Sequence, residues 1–339
     1  MTDPLSALLA DRDWILADGA TGTTLFNMGL QSGDAPELWN VDHPDRIATL
    51  YKGAVEAGSD LFLTNSFGGT SARLKLHAAQ DRVFELNKAA AEIARDVADA
   101  AGRTVIVAGS MGPTGEIMAP MGALTHERAV EMFHEQAEGL KAGGADVLWV
   151  ETISAAEEYR AAAEAARLAG MPWCGTMSFD TAGRTMMGFT SADLAGLVER
   201  LDPAPLAYGA NCGVGASDLL RTVLGFRAAG SERPIIAKGN AGIPKYVDGH
   251  IHYNGTPELM ARYAVMARDA GATIIGGCCG TQPEHLRAMR AALETEPRGE
   301  APTLDQIAQA LGGFSSGSDG TDGAEGPPRE RRGRRRARD

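Results

Sequence analysis

Three of the four cysteines stand where they could hold a metal. Cys278 and Cys279 are adjacent in "IIGGCCGTQPEH", and Cys212 lies in "GANCGVG". Each motif follows an apolar run that reads as a β-strand. Flanking glycines let the backbone turn so that neighbouring thiols point one way. Two thiolates side by side leave room for a metal about 2.3 Å from each sulfur. Adding Cys212 makes three ligands with a fourth position open, the arrangement of a catalytic zinc. Soft thiolates select zinc over hard cations. Such a site takes a substrate thiol as the thiolate at neutral pH, because coordination removes its proton. The substrate is then the nucleophile, and no general base is needed. A redox role for the pair lacks the C-x-x-C spacing of thiol oxidoreductases. A non-catalytic structural zinc barrel would need a fourth ligand, and Cys174, mid-strand in "PWCGT", reads as core.

The elements that must position these residues alternate regularly. Eight apolar runs are separated by longer, Ala-rich stretches of helical period. Strands are expected over 15–18, 60–65, 104–110, 147–151, 173–178, 207–212, 234–238 and 273–277. Helices are expected near 43–57, 79–101, 125–142, 155–169, 191–201, 216–229, 256–270 and 283–294, with a last short one at 303–311. Thr125, Ser191 and Thr256 read as helix caps. Eight βα units predict a (β/α)8 TIM barrel, ahead of a doubly wound sheet, which looks the same locally. Barrel chemistry sits at the carboxyl ends of the strands. Those ends carry Asp18, Thr64–Asn65–Ser66, Ser110, Glu151, Ser178, Asn211–Cys212, Lys238 with Asn240, and Cys278–Cys279. Thr21, Gly22 and Thr23 can offer backbone N–H groups to a carboxylate. Asn211 can donate to a neighbouring thiolate.

The organisation expected is a barrel over 1–295, a short C-terminal helix over 296–312 and a disordered Gly/Ser/Arg-rich tail over 313–339. Net charge is −12; seven arginines against five acids from Gly312 onward give that end +2 and the remainder −14. An acidic barrel is not expected to bind nucleic acid, whereas the Arg-rich tail leaves contact with an anionic surface open. No run of 18 apolar residues marks a membrane helix. No basic-then-apolar start marks a secretory signal, so a cytoplasmic protein is expected. No heptad repeat or long apolar surface segment fixes an oligomeric state. His250 and His252 in "DGHIHYNG" read as a polar loop rather than a metal pair.

Seven segments carry a resemblance: "LADGATGTTL", "LTNSFGGT", "GSMGPTGE", "DTAGRTMMGFT", "GANCGVG", "GNAGIP" and "IIGGCCGTQPEH". Together they resemble the homocysteine S-methyltransferase family, which includes betaine–homocysteine methyltransferases and the homocysteine domain of cobalamin-dependent methionine synthase. The resemblance runs from about residue 14 to 294. It implies a (β/α)8 barrel with zinc on Cys212, Cys278 and Cys279, and homocysteine as the methyl acceptor. By motif, Asp18 and Glu151 match the acids that hold the homocysteine amino group. Gly19, Thr21, Ser66 and Asn211 complete the expected substrate contacts. Asn240 matches a position able to approach the zinc. The methyl donor is expected to be a small onium compound, glycine betaine first, with S-methylmethionine, S-adenosylmethionine or a methylated corrinoid protein as alternatives. Gly68 stands where animal betaine enzymes carry an aromatic residue. Trp39 leads the aromatic candidates for an onium contact, before Phe67, Trp149 and Tyr253.

Overall fold

The computed structural model describes residues 3–242, 244–247 and 250–320. Eight parallel strands form one sheet: β1 Ile15–Leu16, β2 Leu61–Leu63, β3 Ile106–Met111, β4 Val147–Ile153, β5 Trp173–Met177, β6 Tyr208–Cys212, β7 Ile235–Gly239 and β8 Ala272–Gly277. Their spatial order is β1-β8-β7-β6-β5-β4-β3-β2. The main helix after each strand is α1 Pro44–Glu56, α2 Val83–Asp99, α3 His126–Ala142, α4 Ala156–Ala169, α5 Ser191–Val198, α6 Ala216–Ala228, α7 Pro257–Asp269 and α8 Pro283–Thr295, in chain order. This is the expected TIM barrel. No helix among the described residues is long and apolar enough to cross a membrane.

Strand residues point alternately in and out. The inner set includes Ile15, Ala17, Leu61, Leu63, Ile106, Ala108, Val147, Trp149, Cys174, Ile236 and Ile274, all buried. Cys174 is therefore core. An unexpected helix, Pro4–Asp11, adds Leu5 and Leu8 to this inner cluster. It plugs the end of the barrel away from the site.

The ring closes between β1 and β2 through side chains as well as backbone. The Asp60 N–H donates to the Leu16 carbonyl at 2.7 Å. The Leu16 N–H donates to the Asp60 carboxylate at 3.0 Å, and the Leu63 N–H to the Asp18 carboxylate at 2.9 Å. Three arginines, Arg12, Arg103 and Arg290, surround Asp60. Buried carboxylates persist where opposite charges and N–H donors satisfy their oxygens.

Three expectations are revised. The cap of α5 is Thr190, not Ser191: its hydroxyl accepts from Asp193 N–H while the Asp193 carboxylate accepts from Thr190 N–H. The segment expected as a polar loop before α7 contains an antiparallel pair, Pro244–Val247 with His250–Tyr253. The side chains of His250 and His252 lie outside the described residues. Part of the expected tail is docked. Ser315 donates to Asp218, Arg221 donates to the Ser316 carbonyl, and the Arg221 guanidinium lies 4.6 Å from the Phe314 ring centroid. Ser217 adds a hydrogen bond to the Gly312 carbonyl, so polar and charged groups of α6 and the Phe314 ring help to hold 312–320 on the barrel. The Arg-rich remainder, 321–339, lies outside the described residues. The helix expected near 303–311 is Leu304–Leu311, with Ile307 and Leu311 buried in the main core.

Candidate active site

The strand ends bring the three cysteines together. Their sulfurs all lie within 4.8 Å of one another, and Cys212 Sγ and Cys279 Sγ are 3.9 Å apart. A tetrahedral ion with bonds of about 2.3 Å would space its sulfurs by about 3.8 Å. Three thiolates this close repel, so without a cation they ionise singly. Hydrogen bonds from Cys212 and Cys278 hold Cys279 down to about 3. The same contacts push Cys212 far up. Cys278, although Cys212 donates to it, is pushed up to about 12 by its contact with Cys279 and by burial. A divalent cation relieves that repulsion, so donor set and spacing both fit a thiolate-bound zinc.

The loops hold the cysteines under strain. Cys212 has φ +61°, and Thr152, the residue after Glu151, has φ +62°. Non-glycine residues adopt this region rarely, and a β-branched one more rarely still. Asn211 ties the two together. Its Oδ1 accepts from Thr152 N–H at 2.9 Å and from the Thr176 hydroxyl at 2.6 Å. Its Nδ2 donates to the Thr152 hydroxyl at 2.8 Å and faces Cys278 Sγ at 3.9 Å. Asn240 clamps the two cysteine loops, donating to the Gly213 carbonyl at 2.9 Å and accepting from Cys279 N–H at 3.1 Å. The β-hairpin delivers Tyr253 to the same place. Its ring covers Gly280, where any Cβ would collide with it, and its hydroxyl hydrogen-bonds to Cys279.

A cavity of about 450 Å³ opens on this centre. Its wall includes Gly19, Thr21, Gly22, Thr23, Ser110, Glu151, Lys238 and all three cysteines. Glu151 is 8% exposed and accepts from the Ser110 hydroxyl at 2.5 Å. Burial pushes its carboxyl up to about 7, against the pull of Lys238. Lys238, only 2% exposed, pairs with Asp18 and stands 5.8 Å from the Trp149 ring centroid. Burial alone would lower its ammonium, but Asp18 and Glu151 raise it. Asp18 is raised by burial and pulled back by Lys238.

The expected substrate residues therefore divide. Gly19, Thr21 and Glu151 are on the cavity wall. Asp18 is not: Lys238 takes one of its oxygens and Leu63 N–H the other. Ser66 is fully buried behind the wall, its hydroxyl donating to the Ser110 carbonyl at 2.7 Å. Asn211 and Asn240 spend their amides on the protein, as described. Trp39 is core, packed edge-on against His43 and beneath the Arg46 guanidinium, so it offers no onium contact. Of the other aromatic candidates, Phe67 lines the cavity. Lys238 was visible as a polar strand end, but not its pairing with Asp18. Glu37, Arg73 and His77, also on the wall, were not anticipated.

Comparison with known proteins agrees with this geometry. The family model described as homocysteine S-methyltransferase matches residues 15–293. The chain is 29% identical over 303 residues to a methionine synthase of Mycobacterium tuberculosis, covering 84% of this chain and 25% of that protein. It is 30% identical over 308 residues to a methionine synthase of Mycobacterium leprae, with the same coverage. The chain thus spans about a quarter of the length of these curated relatives. The crystal structure of the homocysteine methyltransferase MmuM from Escherichia coli, metallated form, superposes with a TM-score of 0.71 at 26% identity. The match covers 85% of this chain and 99% of that one.

Proposed function

This chain belongs to the homocysteine S-methyltransferase family, and from that premise we propose that it methylates homocysteine to methionine with a small onium donor, glycine betaine first. The observation that carries the reading is the close Cys212–Cys278–Cys279 set on one cavity wall with Glu151 and Lys238. A zinc ion on the three sulfurs would supply the Lewis acidity that keeps a substrate thiol ionised at neutral pH.

The protein's own groups do the rest. Glu151, with one oxygen on Ser110, has its other oxygen for the substrate ammonium. Thr21, Gly22 and Thr23 line the same wall, and their N–H groups would receive its carboxylate. The sulfur then attacks a methyl carbon of the donor. An S–CH3 bond forms as the N–CH3 bond breaks, and the electron pair stays on nitrogen. With betaine the leaving product is neutral at nitrogen, dimethylglycine. Burial around the site strengthens the attraction between thiolate and onium.

The test is a donor screen with homocysteine and the zinc-loaded chain. Methionine should form from betaine, and from none or less of S-methylmethionine, S-adenosylmethionine, dimethylsulfoniopropionate and a methylated corrinoid. No methionine from any of them would sink the reading. Glu151→Gln should raise KM for homocysteine by about 10- to 100-fold, the loss of one charge-assisted contact, with zinc content unchanged. Homocysteine affinity should also weaken as pH falls below 7. Glu151 titrates near 7, and its neutral form has no charge to offer an ammonium.

A further inference from the structure

Among the described residues, Arg73 is the one arginine on the wall of the cavity that holds the cysteines. It follows β2, on the turn Ser71–Leu74 that Thr70 caps. In an eight-stranded ring β2 stands opposite β6, whose last residue is Cys212. Arg73 and the thiol centre therefore line one cavity from opposite sides of the mouth. Arg73 is half-buried and, among the described residues, its guanidinium forms no hydrogen bond or ion pair. Two buried carboxylates lie in its field, yet both are bonded elsewhere. Glu37 accepts from Gly68 N–H at 2.6 Å, and Glu158 from Thr114 N–H at 2.8 Å and its hydroxyl at 2.7 Å. The loop after β3 makes room for the guanidinium at Gly115, where a Cβ would come within 3.1 Å of Nη1.

A planar fork of five donors with no acceptor, on a cavity wall, matches a carboxylate or a similar acid. The cavity exceeds what homocysteine alone fills, and Glu37 and Phe67 line it beside Arg73. A carboxylate and a ring suit an onium cation, and the guanidinium suits an anion. We propose that Arg73, with His77 on the same wall, receives the acid group of the methyl donor, so that the donor is a short zwitterion with its onium methyl toward the cysteines. This rests on the methyl-transfer reading above.

The experiment uses two inert carbon analogues of such a donor, 3,3-dimethylbutanoate and 3,3-dimethylbutan-1-ol. Their affinities are measured by calorimetry on the zinc-loaded, homocysteine-bound chain. The native chain should bind the acid at least about tenfold more tightly than the alcohol, as one charge-assisted contact allows. Arg73→Met should bring that ratio to about one, while Arg73→Lys should keep part of it and report that the fold survives. Homocysteine affinity should stay within about twofold in both variants. A ratio unchanged in Arg73→Met would overturn the proposal. So would failure of the native chain to bind the acid, or a loss of homocysteine affinity, which would assign Arg73 to the acceptor. The probes cannot give up a methyl group, so the ratio is read whether or not methionine forms. Acid binding through Arg73 without methionine from any donor would overturn the methyl-transfer reading and leave this site standing.

Discussion

Cys278→Ser should reduce bound zinc from one ion per chain to near zero and methyl transfer by at least about a thousandfold, about 4 kcal/mol of barrier. The three sulfurs sit within 4.8 Å, and a tetrahedral ion with one open position needs all of them. A serine hydroxyl does not ionise near neutral pH, so the site would lose both a charge and a soft donor. The fold should persist, because Cys278 lies past the end of β8 at the mouth and not in the barrel interior. Metal analysis and circular dichroism on the same sample check both halves. Cys174→Ala is the contrast. That residue is fully buried in β5, so the change should cost stability through a small cavity and leave zinc content untouched. Full zinc and full activity in Cys278→Ser would end the case for a three-thiolate centre.

Lys238→Met should give the largest loss of stability from a single side chain at the site. Lys238 and Asp18 are both almost wholly buried and paired. Removing one partner of such a pair leaves a buried charge without compensation and costs about 3–5 kcal/mol. In a domain of this size that lowers Tm by on the order of 5–10 °C. Replacing both, Asp18→Asn with Lys238→Met, should recover much of the loss, because neither charge is then stranded. Thermal unfolding of the two single variants and the double variant decides it. Losses that simply add would mean the pair is not coupled.

The cysteine centre was legible because each thiol sits at the end of an apolar run between glycines, a local pattern. The barrel was legible for the same reason: eight runs of strand period alternate with helices, and the structure follows them to within a few residues. What the sequence hid depends on distance. Lys238 and Asp18 are 220 positions apart, and no local pattern couples them. Whether an aromatic in a loop faces the cavity or the core is set by tertiary packing, and Trp39 faces the core. The helix Pro4–Asp11 is only eight residues long, too short to show a helical period, yet Leu5 and Leu8 complete the barrel interior. The docking of 312–320 turns on Asp218 and Arg221 of α6, which composition cannot anticipate.

The clasp between β1 and β2 has an evolutionary consequence. One oxygen of Asp18 receives the Leu63 N–H of the ring and the other neutralises Lys238. A descendant that changed this residue to suit a new substrate would loosen the wall at the same stroke, so drift there is doubly penalised. The Arg73 guanidinium makes no hydrogen bond or ion pair among the described residues and acts on Glu37 and Glu158 only through its field. Divergence among related chains in what they accept should therefore gather at the far lip, around Arg73 and His77, while the clasp stays fixed.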